Sequence, residues 1–421
     1  MSFASISRNL RLAVLCLAAM AISLPIAWIS LSKVLLIVTG LLVLIANLPI
    51  KDKDSALLSL WTPRLILLCL LLFSLSFLWT EVDQQTAWWA WLKHFKLIEI
   101  VLILGLVRSA QESRITLVAF AAAQVFLLAS SWALFAGVAV PWVTDPIGKN
   151  VVFSSYLDQS IILATSAAII WHLRSETLFP RWLAISFSLL AMINVLLLLE
   201  GRTGYLVALV MLALAAMWAM PKRWRLPTFV VTPLVSLLVL VLFSAQVRDR
   251  IALSITESQN YAIQSETISP LTSSSMGWRF NAWHRSSQAL QEQPVRGHGV
   301  GSWTPAVKKF EGAKAIETFG GDNFSNPHQE YLLWGVELGV PGILLLLLLM
   351  ASVVHDTRHF SPAYQRASLS ILATMSVACL FNSAIYDDLM GDFLCISLGL
   401  LMAAGYREAA QARLPGIAKP L

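Results

Sequence analysis

Apolar runs long enough to cross a membrane recur along almost the whole chain, and this feature most constrains the fold. A helix needs about 20 mostly apolar residues to span a bilayer, and about twelve stretches come close to that length. Hydrophobic residues make up 57% of the chain and charged residues 13%, so charge is about half as frequent as in soluble domains. The sequence therefore predicts an all-α polytopic membrane protein with about twelve transmembrane helices. The predicted spans are residues 10–30, 32–49, 64–79, 91–108, 115–138, 159–173, 181–200, 203–220, 227–247, 328–354, 366–383 and 389–406.

The basic residues are unevenly divided between the two sides of the membrane. If the N-terminus is cytoplasmic, most of the 30 Lys and Arg residues fall in connections on the inner side. The short outer connections then contain Lys33, Lys93, Lys96, Lys149 and Arg202. Since basic residues in short loops favour the cytoplasmic side, we expect both termini to be cytoplasmic. The formal charge of +6 follows from this topology and gives no reason to expect nucleic-acid binding.

One polar segment of about 80 residues interrupts the apolar pattern. It divides the chain into residues 1–247 with nine spans, an outer loop over residues 248–327, residues 328–406 with three spans, and a cytoplasmic tail over residues 407–421. Within the loop, the Ser- and Thr-rich stretch 257–275 has a composition typical of irregular structure. The next stretch, "SMGWRFNAWHRSSQALQEQ", has the spacing of an amphipathic helix with aromatic side chains at the membrane surface.

Side chains capable of chemistry collect at the outer ends of the predicted spans. An Arg or Lys at the centre of a spanning helix costs roughly 2.5 to 3.5 kcal/mol, so charges at helix ends are expected. Arg202 lies in the hairpin "LLLEGRTGYL", and His328 opens the tenth predicted span. In the long loop, Gly297, Gly299 and Gly301 alternate, which indicates a backbone turn that passes close to another part of the chain. Between the last two spans lie Tyr386, Asp387, Asp388 and Asp392.

Four sequence segments resemble one family of membrane proteins. They are "GRTG" at a helix hairpin, "WRFNAW", "QPVRGHGVGSW", and "HQEYLLWGVELGVPG" after the long loop. Together they resemble the O-antigen ligase and polymerase superfamily of bacterial envelope glycan assembly. The resemblance covers about residues 195 to 345, and the His-Gln-x-x-Leu segment is its most specific part. Many relatives have His-Asn where this chain has His328-Gln329.

The resemblance implies both a location and a reaction. It implies a glycosyltransferase of the bacterial inner membrane, similar to the GT-C architecture, with one large periplasmic loop that contains short amphipathic helices and an active site that faces the periplasm. The donor would be a glycan linked to undecaprenyl pyrophosphate, the acceptor would be the lipid A-core, and membrane lipids would surround both. The family's catalytic positions fall on Arg202, Arg279 and His328, and the residues implied in substrate binding are Arg202, Arg279, Trp283, Gln329 and Tyr331.

The chemistry of such a donor fits these residue types. Guanidinium groups bind phosphate through two parallel hydrogen bonds, so Arg202 and Arg279 suit a pyrophosphate leaving group. His328 suits removal of the acceptor's proton near neutral pH, and a protonated His328 would instead bind the pyrophosphate. Each residue also has a purely structural interpretation. Arg202 would extend its side chain to the membrane surface, Arg279 would contact lipid headgroups, and His328 would cap a helix. His284 and His298 are interpreted most simply as solvent-exposed or structural side chains. Lys308, Lys309 and Lys314 would form the solvent-exposed face of a loop, or they would contact phosphorylated sugars of an acceptor.

No cofactor and no metal are expected. The four cysteines, Cys16, Cys69, Cys379 and Cys395, lie inside apolar runs without metal-ligand spacing. No Asp-x-Asp cluster marks a divalent-ion site, and only Asp387, Asp388 and Asp392 leave the question of a metal open. Among transferases, the ligase fits best, because the O-antigen polymerase commonly has a second large outer loop and the protein O-oligosaccharyltransferase a longer chain. A secondary transporter is the alternative from another class, but it should show internal repeats and polar groups at the membrane midplane.

Overall fold

The structure is a computed structural model, and it describes residues 7–46, 55–143, 148–264, 275–310 and 326–413. These residues form helices joined by short turns, and none of them lies in a β-strand. The prediction of an all-α polytopic membrane protein is confirmed. The helices are α1 (Arg8–Ala21), α2 (Ile26–Ala46), α3 (Ala56–Ser59), α4 (Trp61–Leu75), α5 (Gln84–His94), α6 (Ile98–Leu106), α7 (Ala110–Phe135), α8 (Tyr156–Leu173), α9 (Arg181–Ile193), α10 (Arg202–Ala219), α11 (Arg225–Phe243), α12 (Ala245–Gln264), α13 (Ser275–Glu292), α14 (Trp303–Lys308), α15 (Glu330–Leu338), α16 (Val340–Thr357), α17 (Pro362–Phe381) and α18 (Asp388–Ala412).

In the part of the chain that the structure describes, 8 helices are long and apolar enough to cross a membrane. The first predicted span, residues 10–30, is wrong, because α1 ends at Ala21 and α2 begins at Ile26, directly after Pro25. Proline lacks the N–H that would continue a helix through this point. The count of twelve spans stays a prediction. The eight candidate spans are Ile26–Ala46, Trp61–Leu78, Ala110–Phe135, Arg181–Leu198, Arg202–Ala219, Lys222–Phe243, Val340–Thr357 and Asp388–Ala412.

Helix α18 forms the centre of the bundle. Its apolar window is 89% buried, whereas that of α11 is 6% buried and faces outward. Gly399 permits a close approach to α6, since a Cβ atom there would lie 3.1 Å from the Cα atom of Ile100. Small residues allow this kind of packing in a membrane, where apolar burial alone does not favour helix association. Helix α8 is the second central helix and packs against α9, α10 and α17.

The tenth predicted span, residues 328–354, is divided into two helices. Helix α15 ends at Leu338, and α16 begins at Val340 after Gly339, whose φ of 73° is open mainly to glycine. A Cβ atom on Gly339 would lie 2.6 Å from the carbonyl oxygen of Pro294. The prediction that His328 opens this span is therefore wrong. His328 precedes the short helix α15, and the span itself begins at Val340.

The glycine-rich loop makes the close approach that its sequence predicts. Gly297, Gly299 and Gly301 all have positive φ. A Cβ atom on Gly299 would lie 2.4 Å from the Cα atom of Thr80, in the connection between α4 and α5. The backbone N–H of Gly299 donates to the carbonyl of Glu337 (2.9 Å), which joins the loop to α15. The loop thus fixes α13 and α14 against the helix bundle.

Several charged side chains lie deeper in the bundle than the sequence reading placed them. Lys33 forms an ion pair with the buried Asp392 (2.7 Å), and Glu99 is buried in the first turn of α6. The nearly buried Lys96 forms an ion pair with Asp388 (3.0 Å). The expectation that charges keep to the helix ends therefore holds only in part. Lys33 and Lys96 are tolerated in the bundle because each pairs with a carboxylate inside the protein.

Candidate active site

His328 lies in a constrained turn just before α15. Its backbone N–H donates to Oδ1 of Asn326 (2.9 Å), and its φ of 49° is uncommon for a residue other than glycine. The ring of Trp278 meets the imidazole edge to face, with 5.0 Å between the ring centroids. Nε1 of Trp283 donates to the carbonyl of Pro327 (3.1 Å). Helix α13 thus holds the segment that carries the imidazole.

A chain of hydrogen bonds determines the tautomer of His328. Nδ2 of Asn382 donates to Oδ2 of Asp387 (2.6 Å), so Oδ1 of the same amide faces the imidazole. An amide oxygen accepts a hydrogen bond and cannot donate one. Nδ1 of His328, 2.8 Å from this oxygen, is therefore the protonated ring nitrogen. In the neutral imidazole, Nε2 then carries the lone pair.

The environment of His328 favours its neutral form. Burial lowers the pKa of the imidazole below its ordinary value of 6.5, and the charge of Arg279 lowers it further. The hydrogen bond to Asn382 acts in the opposite direction, because it stabilises the protonated ring. A neutral imidazole with its lone pair on Nε2 is able to accept a proton at neutral pH.

Arg279 lies on α13, one turn from the helix start. Burial lowers the pKa of its guanidinium, and the charge of Arg202 lowers it further. Tyr156 and Glu257 act on this pKa in the opposite direction. Arginine nevertheless stays protonated in proteins, so two like charges stand near each other here.

Arg202 is the first residue of α10 and follows a π-helical turn over Asn194–Leu198. Its guanidinium forms an ion pair with Glu257 of α12, at 2.9 Å between Nη1 and Oε2. Glu200 pairs with Arg250 of the same helix. The prediction that residues 257–275 are irregular is wrong for the first eight of them, because α12 continues through Gln264 and these ion pairs hold it to the hairpin.

The structure brings Arg202, Arg279 and His328 into one electrostatic cluster. The charge of Arg202 lowers the pKa of Arg279, and the charge of Arg279 lowers the pKa of His328. The three residues nevertheless come from separate parts of the chain. Sequence reasoning missed Glu257, Tyr156 and Asn382. Glu257 lies in a stretch whose composition concealed a helix, and Asn382 had no motif to mark it.

The other predicted substrate-binding residues make contacts within the protein. Oε1 of Gln329 accepts from the backbone N–H of Leu332 (2.7 Å) and caps α15. The hydroxyl of Tyr331 donates to the carbonyl of Ser376 (3.2 Å). Trp283 contacts Pro327, as described above. These side chains position the His328 segment, and their contact with substrate stays a prediction.

Glu330 connects this segment to the turn that carries Asn382. Its buried carboxylate accepts hydrogen bonds from Nε1 of Trp334 (2.9 Å) and from the backbone N–H groups of Ile385 and Tyr386 (3.1 and 3.2 Å). The turn between α17 and α18 is thereby fixed against α15. Sequence reasoning placed Glu330 beside the histidine but gave it no role.

Two of the remaining sequence candidates, His298 and Lys309, have partners within the protein. His298 is buried, and its ring nitrogens contact Oε1 of Glu81 (2.7 Å) and the carbonyl of Ala289 (3.0 Å), in line with a structural role. Lys309 also pairs with Glu81 (3.0 Å), and Lys308 lines a cleft described below. Lys314 lies outside the described residues.

The three aspartates that left a metal site open each contact a different partner. Asp387 contacts Asn382, Asp388 pairs with Lys96, and Asp392 pairs with Lys33. Within residues 7–46, 55–143, 148–264, 275–310 and 326–413, no group of three or more His, Cys, Asp or Glu residues is arranged to hold a metal ion. The absence of a metal requirement stays a prediction.

The comparison with known families covers this region of the chain. Residues 187–347 match the family model described as O-Antigen ligase. This segment is similar to the O-antigen ligase family. The match confirms the resemblance to the O-antigen ligase and polymerase superfamily, and it includes all three predicted catalytic residues. No curated protein matches the chain.

Proposed function

We propose that the protein is an O-antigen ligase of the bacterial inner membrane. It transfers a polysaccharide from undecaprenyl pyrophosphate to the lipid A-core at the periplasmic face. The family match supports a membrane glycosyltransferase of this kind. The observation that carries the proposal is the cluster of two guanidiniums beside an imidazole whose Nδ1 donates to Asn382.

In the proposed reaction, a hydroxyl oxygen of the acceptor attacks the anomeric carbon of the donor sugar. The new carbon–oxygen bond forms as the bond to the pyrophosphate oxygen breaks, and the electron pair leaves with undecaprenyl pyrophosphate. The hydroxyl proton passes to Nε2 of His328. Direct displacement inverts the anomeric configuration. A positioned base of this kind contributes about 10² to 10⁴ in rate.

The base role for His328 is favoured over the role of pyrophosphate ligand. A ligand for phosphate would have to be protonated, whereas burial and the charge of Arg279 lower the pKa of this imidazole. The hydrogen bond with Asn382 also fixes the proton on Nδ1 and leaves the lone pair on Nε2. The arrangement resembles the way a second residue orients a catalytic histidine in other enzymes.

Arg202 and Arg279 are the proposed ligands of the pyrophosphate. Two neighbouring guanidiniums repel each other unless an anion lies between or beside them. In the absence of substrate, Glu257 provides that charge through its 2.9 Å contact with Arg202. We infer that the pyrophosphate takes over this role, and that the guanidiniums stabilise the charge that develops on the leaving group.

The test is reconstitution of the purified protein with a lipid-linked glycan and isolated lipid A-core. A ligase produces core that carries long chains, and His328→Ala, Arg279→Ala and Arg202→Ala each abolish this product while the protein still inserts. A polymerase would lengthen the lipid-linked glycan without adding it to core, and this outcome would replace the proposal. Activity should also persist in EDTA. A loss that magnesium restores would contradict the metal-free prediction.

A further inference from the structure

A cleft lies between α5 and α14, beside the turn that joins α17 and α18. Its volume is about 440 Å³, within the range of sites that bind small molecules. Its walls are two helix faces and the side chain of Tyr386. The lining residues are Val82, Thr86, Trp89, Ala90, Lys93, Gly301, Thr304, Pro305, Lys308 and Tyr386.

The helical period explains why these residues share one cleft. Thr86, Trp89 and Lys93 recur at intervals of three and four on α5, so they form one stripe. Thr304 and Lys308 form the corresponding stripe on α14. The turn before α14 approaches α5 closely at Gly301, where a Cβ atom would lie 3.1 Å from Cβ of Ala90.

The chemistry of the lining fits an anionic sugar. It contains two lysines and no Asp or Glu among its described residues, so it favours a negatively charged ligand. Trp89 is 60% exposed and offers an apolar ring face to the cleft, and the two threonines offer hydroxyl groups. The ammonium group of Lys93 lies 4.6 Å from the ring centroid of Tyr386, which places one positive charge beside that aromatic wall.

A short path connects the cleft to the proposed base. Tyr386 lines the cleft, and the next residue, Asp387, accepts a hydrogen bond from Asn382 (2.6 Å). Asn382 in turn contacts His328 (2.8 Å). The cleft and the proposed base are thus joined through the α17–α18 turn, whereas Arg202 and Arg279 lie on α10 and α13. This chain of contacts ends at Nδ1, on the opposite side of the ring from the proposed base atom Nε2, so it shows that the cleft and the proposed site share one turn.

We propose that this cleft binds a phosphorylated or otherwise anionic saccharide of the acceptor. The proposal rests on the proposed transfer function and adds a specificity site for its acceptor. Lys93 and Lys308 hold the anionic group, and Trp89 packs against a sugar ring. The donor pyrophosphate remains with Arg202 and Arg279.

The experiment measures binding of lipid A-core to the purified protein in nanodiscs by microscale thermophoresis. The probe is used in two forms, intact and with its phosphate groups removed. We expect the wild-type protein to bind the intact form at least about tenfold more tightly. Lys93→Gln with Lys308→Gln should remove this preference, whereas Trp89→Ala should weaken binding of both forms. Equal affinity of the wild-type protein for the two forms would overturn the proposal.

Lys309→Gln is the matched control. This substitution removes one positive charge from the residue next to Lys308. In the wild-type protein the ammonium group of Lys309 contacts Glu81 and Glu292, which lie outside the cleft. We expect it to keep the wild-type preference for phosphate. Size-exclusion profiles and melting midpoints verify folding, and Lys308→Gln alone serves if the double variant does not fold. Loss of the preference in Lys309→Gln would mean a diffuse charge effect and would also overturn the proposal.

Two further titrations identify the source of the anion. Vesicles of phosphatidylglycerol that compete as well as lipid A-core would assign the cleft to membrane headgroups. A lipid-linked glycan whose affinity falls in the lysine variants, with lipid A-core unaffected, would assign it to the donor. Either result overturns the acceptor site. Binding is measured without turnover, so a wild-type protein that binds phosphorylated core but transfers nothing would contradict the proposed function and leave the cleft assignment standing.

Discussion

Asn382→Leu should separate the orientation of the proposed base from its presence. The substitution removes the oxygen that accepts from Nδ1 of His328 at 2.8 Å and preserves most of the side-chain volume. A buried N–H left without an acceptor costs about 1 to 3 kcal/mol. The imidazole avoids this cost if the ring rotates or if its proton moves to Nε2. After either change, the lone pair of Nε2 no longer faces the hydroxyl group of the acceptor.

The same free energy sets the expected loss in rate. A cost of 1 to 3 kcal/mol corresponds to a decrease in kcat of roughly 5- to 150-fold. This is smaller than the loss of about 10² to 10⁴ expected for His328→Ala, because the imidazole remains in the site. The assay is transfer from the lipid-linked glycan to lipid A-core in proteoliposomes, with both substrates saturating.

The pH profile distinguishes orientation from a general loss of structure. The neutral imidazole is the active form, so kcat/KM of the wild-type protein, which reports the free enzyme, should fall on the acid side with an apparent pKa below the ordinary value of 6.5. The hydrogen bond to Asn382 raises the pKa of His328, so its loss should move this acid limb to lower pH. Asn281→Leu is the control, because Asn281 accepts from Arg285 (2.7 Å) on α13. A kcat close to wild type and an unchanged acid limb in Asn382→Leu would refute the reasoning.

Three further predictions follow from the cluster and from the glycine-rich loop. Arg279→Lys keeps the charge but loses the two-pronged geometry, so kcat/KM for the donor should fall roughly 10- to 100-fold in steady-state assays; an unchanged value would exclude a pyrophosphate contact. Glu257→Gln removes the anion that competes for Arg202, so undecaprenyl pyrophosphate should bind about two- to fivefold more tightly in a fluorescence titration, and weaker binding would contradict the exchange of partners. Gly299→Ala should lower the free energy of unfolding by about 1 to 3 kcal/mol in detergent denaturation, because φ is 90° and Thr80 occupies the Cβ position; a wild-type value would contradict this packing.

The sequence was sufficient for the fold class because a membrane imposes length and apolarity on every span. It was less successful where a local feature decides the outcome. Gly339 and Pro25 divide apolar runs that hydropathy reads as continuous. The helix through Glu257 was missed because its residues are polar, and its ion pairs with the hairpin depend on contacts between distant segments.

The candidate site shows a similar division. Arg202, Arg279 and His328 were found through family motifs, because each lies in a segment with a recognisable pattern. Asn382 could not be found in this way, because its role depends on its contacts with His328 and Asp387 and on no residue next to it. The acceptor cleft likewise forms only where two helix faces meet. Of its two lysines, only Lys308 was considered as a sugar contact from the sequence.

A structure of the protein in nanodiscs with bound undecaprenyl pyrophosphate would test the central claim most directly. The decisive quantity is the distance from the phosphate oxygens to the guanidiniums of Arg202 and Arg279. We predict hydrogen-bonding distances to both, with Glu257 displaced from Arg202 and Nε2 of His328 facing the space beside the pyrophosphate. A pyrophosphate bound away from both arginines, with the pair between Arg202 and Glu257 intact, would contradict the account.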